Sequence, residues 1–179
     1  MKAFLHASCP IMLWVITLIH VGFLALIFRR YTKGKNILHL LSGAITVGLF
    51  YDALILALGT VLREGPVLMG LSQVRFVSHG ALIPLIFLIC AYALDLKGIP
   101  MKAVWIFTGI LIVLGIAEGF AVQLELRTVA GICRYASGEG TPGWADAISG
   151  LLSYGTVVPL MIVGIVVWAK QKTPRLFLA

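Results

Sequence analysis

The stretch NILHLLSGAITVGLFYDALILALGTVL, residues 36–62, decides the fold. Apart from Asp52 it carries no acidic or basic charge, over a length that exceeds the roughly 20 residues an α-helix needs to cross hydrocarbon. As a helix running from the inner to the outer face, it puts Asp52 about ten residues from its outer end, roughly 15 Å deep. A charged aspartate at that depth costs about 2.5–3.5 kcal/mol, so it must meet a partner, a polar cavity or a proton.

The rest of the chain agrees with a membrane setting. Of 179 residues, 60% are hydrophobic and only 12% charged, against roughly 25% charged in soluble domains. Mean hydropathy is +1.04, which excludes an ordinary soluble domain. Apolar runs at about 8–28, 37–62, 76–95, 103–123 and 148–169 are each near spanning length. The expected fold is an all-α integral membrane protein, a bundle of five transmembrane helices forming a single polytopic domain over 1–179. No internal repeat or low-complexity tract divides it. The first run follows Lys2, as a signal peptide would, but it is too long for an h-region and lacks a small-x-small cleavage site. It ends in FRRYTKGK, residues 28–35, which reads as a stop-transfer flank.

Lysine and arginine placement sets the expected orientation. With the N-terminus outside, inner segments hold Arg29, Arg30, Lys33, Lys35, Lys97, Lys102, Lys170, Lys172 and Arg175, against Lys2, Arg63, Arg75, Arg127 and Arg134 outside. The positive-inside rule then places the C-terminus in the cytoplasm, and the expected location is a bacterial cytoplasmic membrane. The formal charge of +7 is accounted for by basic loops facing anionic headgroups, so membrane lipids, not nucleic acid, are the expected partners. Cys9 and Cys133 both fall on the outer side, where they form either a disulfide or two unpaired thiols, and Cys90 lies mid-helix. There is no CxxC pair to support a thiol relay.

Polar residues inside the apolar runs mark a candidate site. Ala44, Gly48, Asp52 and Gly59 share one helical stripe, which turns Asp52 toward the bundle. In SQVRFVSHGALIPL, residues 72–85, Arg75 stands at the expected outer boundary with His79 one turn deeper on the same face. In LGIAEGFAVQLEL, residues 114–126, Gly115, Glu118, Val122 and Glu125 form a stripe. His20 matches Asp52 in depth, and the last helix presents Ser149, Ser153 and Thr156 with Tyr154 beside them. Together they suggest an outward-opening polar cavity: Arg75 and Glu125 at the mouth, His79 and Glu118 midway, and Asp52 with His20 at the floor. Tyr51, next to Asp52, and Tyr154 are expected to bind substrate with Arg75, His20 and Glu125.

Each residue also has a structural explanation. Arg75 at a helix end can snorkel to headgroups. His79 and Ser78 can satisfy a carbonyl freed by Pro84. His20 can hydrogen-bond between helices, and His6 and His39 suit the interfaces. Trp14, Trp105, Trp144 and Trp168 fit an aromatic belt. Asp52 and Glu118 resist such readings, because intramembrane acids default to function.

The chemistry follows from these types. His20, His39 and His79 differ too much in depth for a bis-histidine haem, and no HxxxH, HExxH or Glu-x-x-His pair supports a metal centre, so no cofactor is expected. Two carboxyl groups in different surroundings can divide acid and base roles. Asp52, Glu118 and His79 are therefore the expected catalytic residues of a small membrane enzyme of isomerase or cyclase type, acting on a lipid, sterol-like or isoprenoid molecule. The alternatives are a proton-coupled transporter or channel subunit, functioning as a homo-oligomer, and a structural subunit of a larger membrane complex.

Overall fold

The computed structural model describes residues 2–171, with side chains described from Ser8 to Ala169. Lys172 and Arg175 lie outside the described residues, as do the side chains of Lys2, His6 and Lys170. The chain is mostly helical: α1 (Lys2–Gly34), α2 (Ile37–Leu58), α3 (Pro66–Leu82), α4 (Leu85–Ala93), α5 (Ile99–Ala121), a hairpin of β1 (Leu124–Val129) and β2 (Ile132–Ser137), then α6 (Gly143–Gln171). Five spans among the described residues are long and apolar enough to cross a bilayer, with α3 and α4 together forming the third, Pro66–Ala93. The protein is an integral membrane protein.

Local chemistry sets the helix ends. Lys35 turns the chain after α1 with φ +48°, and the Asn36 side chain caps α2 by accepting from the Leu38 N–H at 2.9 Å. Pro66 and Pro100 stand in the first turns of α3 and α5, where a missing N–H costs nothing. Consequently α3 starts at Pro66 rather than near residue 76, and Arg75 lies well inside the span instead of at its boundary. Pro84 breaks this span, since it cannot donate to the carbonyl four residues back, and the helix resumes as α4.

The α3 and α5 backbones approach each other directly. A Cβ on Gly80 would strike the backbone of Gly115, one on Gly115 would strike Gly80, and one on Gly119 would strike Val77. Gly115 and Gly119 form a GxxxG pair that lets the two backbones touch. The Gln73 side-chain amide donates to the Gly119 carbonyl across the same seam. At the other end of the bundle, Cys90 of α4 clusters with Val163 and Val167 of α6. α1 packs mainly against α2 and stands at the periphery.

The long connection after α5 contains the hairpin. Its antiparallel register runs from Leu124↔Ser137 to Val129↔Ile132. Ala130 and Gly131 close it, both with positive φ (52° and 79°), as a two-residue type I′ turn requires. β2 lies against the ends of α2 and α3: the Cys133 N–H donates to the Gly59 carbonyl at 3.2 Å. Gly59 must lack a side chain, because a Cβ there would meet the Cys133 carbonyl.

Gly115→Val is therefore expected to lower the thermal midpoint in detergent, at an over-packing cost of roughly 1–3 kcal/mol or more. Gly109→Ala, where a Cβ meets nothing within 4 Å, should leave the midpoint unchanged or raise it slightly. Circular-dichroism melting of both variants checks the contact.

Candidate functional site

Four helices enclose a cavity of about 180 Å³ near the hairpin end of the bundle. α2 contributes Asp52 and α5 contributes Glu118. Arg75, Phe76, His79 and Gly80 come from α3. α6 completes the wall with Ser149, Leu152 and Ser153. Asp52 lies about 9 Å along the helix axis from the end of α2, Arg75 about 14 Å from the start of α3, and Glu118 about 5 Å from the end of α5.

Arg75 organises one side of the wall. Its Nη1 donates to Asp52 Oδ1 at 3.2 Å, and the two side chains are 13% and 33% exposed. Its Nη2 donates to the Tyr135 carbonyl of β2 at 3.0 Å, while the guanidinium lies 4.8 Å from the Phe76 ring centroid. The buried Nε has no hydrogen-bond partner. Burial of this kind is tolerable only because the opposite charge and the carbonyl replace water. Ser78 donates to the Arg75 carbonyl at 3.0 Å, and so does not serve the carbonyl of Gly80 that Pro84 leaves without its helical donor.

The opposite wall holds the second acid. Glu118 is 4% exposed, and Ser149 of α6 lines the cavity with it. It thus shares the wall with a neutral hydroxyl where Asp52 has a guanidinium. His79 and Ser153 line the cavity yet are also exposed on the molecular surface. They stand about 20 Å and 15 Å along α3 and α6 from their hairpin-end starts. The cavity therefore has an opening at its side, between α3 and α6 and within the spans. α6 packs chiefly on α5 and α4.

The structure brings Asp52, Arg75, His79 and Glu118 together and separates the remaining candidates from them. Arg75 is not at a mouth beside Glu125 but paired with Asp52. Glu125 departs because α5 ends at Ala121 and Val122 is extended (ψ 123°), so the expected stripe is broken. Its Oε1 accepts from the Glu139 N–H at 2.9 Å in the hairpin. His20 is on peripheral α1, where Nδ1 hydrogen-bonds with the Ile16 carbonyl at 2.8 Å, and is not part of the floor. Tyr154 is 78% exposed and points away from the bundle. Tyr51 spends its hydroxyl on the Leu71 carbonyl at 3.0 Å, tying α2 to α3 outside the cavity wall. Cys9 and Cys133 are free thiols. Ile132 and Arg134 line a small pocket with Cys9, so strand alternation turns the intervening Cys133 to the other face, where its Sγ lies 3.9 Å from the Thr128 hydroxyl.

Sequence reasoning missed the roles of Tyr135 and Gln73. Tyr135 supplies a carbonyl to Arg75, and its hydroxyl accepts from the Gly65 N–H at 3.4 Å. The AG pair between LELRTV and ICRYAS, residues 124–137, was the available signal for the hairpin. Among the described residues, no three His, Cys, Asp or Glu side chains gather closely enough to hold a metal ion. No known family, characterised protein or solved structure matches the chain.

Asp52→Asn and Arg75→Gln should each destabilise the protein, and the double variant should be destabilised less than the sum of the two single effects. The expected coupling is on the order of 1–3 kcal/mol, as for contacting charges. A double-mutant cycle of unfolding in detergent measures it, and strict additivity would mean that the pair contributes nothing.

Proposed function

We propose that the protein is a membrane enzyme of isomerase or cyclase type that performs acid–base chemistry on a lipophilic lipid, sterol-like or isoprenoid molecule. The observation that carries this reading is the pairing of two carboxyl groups in different surroundings with a mouth that opens within the spans. A substrate dissolved in the bilayer reaches such a mouth without crossing water.

The cavity size limits what enters. At about 180 Å³ it exceeds the roughly 150 Å³ that admits benzene but falls short of the roughly 300 Å³ of sites for drug-sized molecules. It therefore takes the reacting end of a larger molecule whose remainder stays in lipid. For a double-bond shift, the Glu118 carboxyl donates a proton to one alkene carbon, and His79, backed by Asp52, removes a proton from the allylic carbon attached to the other, so that the double bond moves one position. Proton return from His79 to Glu118 restores the starting state, so atoms and charge balance. Arg75 holds Asp52 in place through their ion pair. In this reading the hairpin end faces outward, with the N-terminus outside and the C-terminus cytoplasmic in a bacterial cytoplasmic membrane, as the lysine and arginine distribution favours.

Mass spectrometry of lipophilic molecules co-purifying with the wild type, Asp52→Asn and Glu118→Gln tests the proposal. The expected outcome is one defined lipid or isoprenoid, enriched as the unconverted form in Glu118→Gln by about tenfold or more, in line with loss of a general acid. Identical bulk lipid in all three proteins would overturn it and shift weight to transport or to a structural role.

A further inference from the structure

A second cavity, independent of the first, lies between α1 and α2 at the end of the bundle opposite the hairpin. It is an almost wholly apolar groove of about 300 Å³. On α1 it is lined by Leu24, Ile27, Phe28 and Tyr31, a single helical face. On α2 it runs from His39 past Gly43 and Ala44 to Val47. Its length along either helix is about 10–12 Å. Phe28 and Val47 are 69% and 50% exposed, so the groove opens along its side to the hydrocarbon.

Charge is concentrated at one end only. The face that carries Tyr31 continues one turn on to Lys35, whose Nζ lies 5.2 Å from the Tyr31 ring centroid. Arg29, Arg30 and Lys33 are exposed on the other faces of the same helix end, and no carboxylate lies between Met1 and Tyr51. The N-terminus of α2 adds the positive end of its dipole there. Just inside the groove, His39 Nδ1 is buried without a hydrogen-bond partner.

We propose that this groove binds one acidic phospholipid, independently of any chemistry in the first cavity. An acyl chain fills the apolar trough and the phosphate meets Lys35 at its basic end. Basic pockets between transmembrane helices recognise anionic headgroups by the same physics. The apolar trough excludes a free phosphate as the natural ligand, and the basic rim selects against a zwitterionic lipid. A lipid held there fills the gap between α1 and the bundle, and so secures a helix whose protein contacts are mainly with α2.

Native mass spectrometry of the purified full chain, titrated with phosphatidylglycerol and phosphatidylcholine of the same acyl composition, tests the site. Wild type should retain one phosphatidylglycerol, favoured over phosphatidylcholine by about five-fold or more. Lys35→Gln should lower that preference about five-fold, the effect of one basic residue near a headgroup. Lys97→Gln, on a different loop, should leave it unchanged. Val47→Trp, at the exposed lip, should reduce retention of both lipids without disturbing the helix contact, with circular dichroism confirming the fold. Equal retention of the two lipids by wild type, loss of preference in Lys97→Gln, or unchanged binding in Val47→Trp would each overturn the proposal. Displacement of the lipid by excess glycerol phosphate would also overturn it, because the headgroup alone would then account for binding.

Discussion

The ion pair between Asp52 and Arg75 is the constraint around which the hairpin end of the bundle is built. Hydrocarbon offers neither residue a hydrogen bond, so each must find its partner inside the protein. Meeting that need requires α3 to begin at Pro66, which carries Arg75 far enough into the span to reach Asp52 at 3.2 Å. It also requires a further acceptor for the guanidinium, and the Tyr135 carbonyl provides it at 3.0 Å. The hairpin is thus tied to the wall of the cavity by the charge that the cavity contains.

Packing then sets the position of the second acid. Helices in lipid gain little from excluding water and associate through close van der Waals contact and interhelical hydrogen bonds. Gly80, Gly115 and Gly119 permit such contact between α3 and α5, and Glu118 sits within that GxxxG pair. The same contact that joins the helices brings its carboxyl group to the cavity containing His79. Away from the hairpin, α6 closes on α4 through Cys90, Val163 and Val167. Toward the hairpin α6 lines the cavity with Ser149, Leu152 and Ser153.

Much of this was legible in the sequence, and the failures have physical causes. Span number and the inward face of Asp52 follow from hydropathy and small-residue spacing, which are local properties. The third helix was bounded too late because Arg75 looked like a headgroup contact, although Pro66 at a helix start was the better signal. Its counter-ion was on another helix, and pairing across helices is not written in either segment alone. Glu125 was assigned to a stripe that assumed α5 continued past Ala121, whereas the AG turn that follows belongs to a hairpin. His20 and Tyr154 have suitable depth but the wrong rotation. Depth comes from counting residues, while rotation is set by which helix packs where.

The central claim is that the polar cavity opens to the bilayer rather than to water. A nitroxide spin label at Ser153, introduced as the single cysteine in a background lacking the native ones and reconstituted in vesicles, tests it through collision with molecular oxygen and with a water-soluble nickel chelate. High oxygen accessibility with little access for the chelate is the predicted result. Access for the chelate that exceeds that for oxygen would contradict the account, because it would reveal an aqueous vestibule at the opening between α3 and α6.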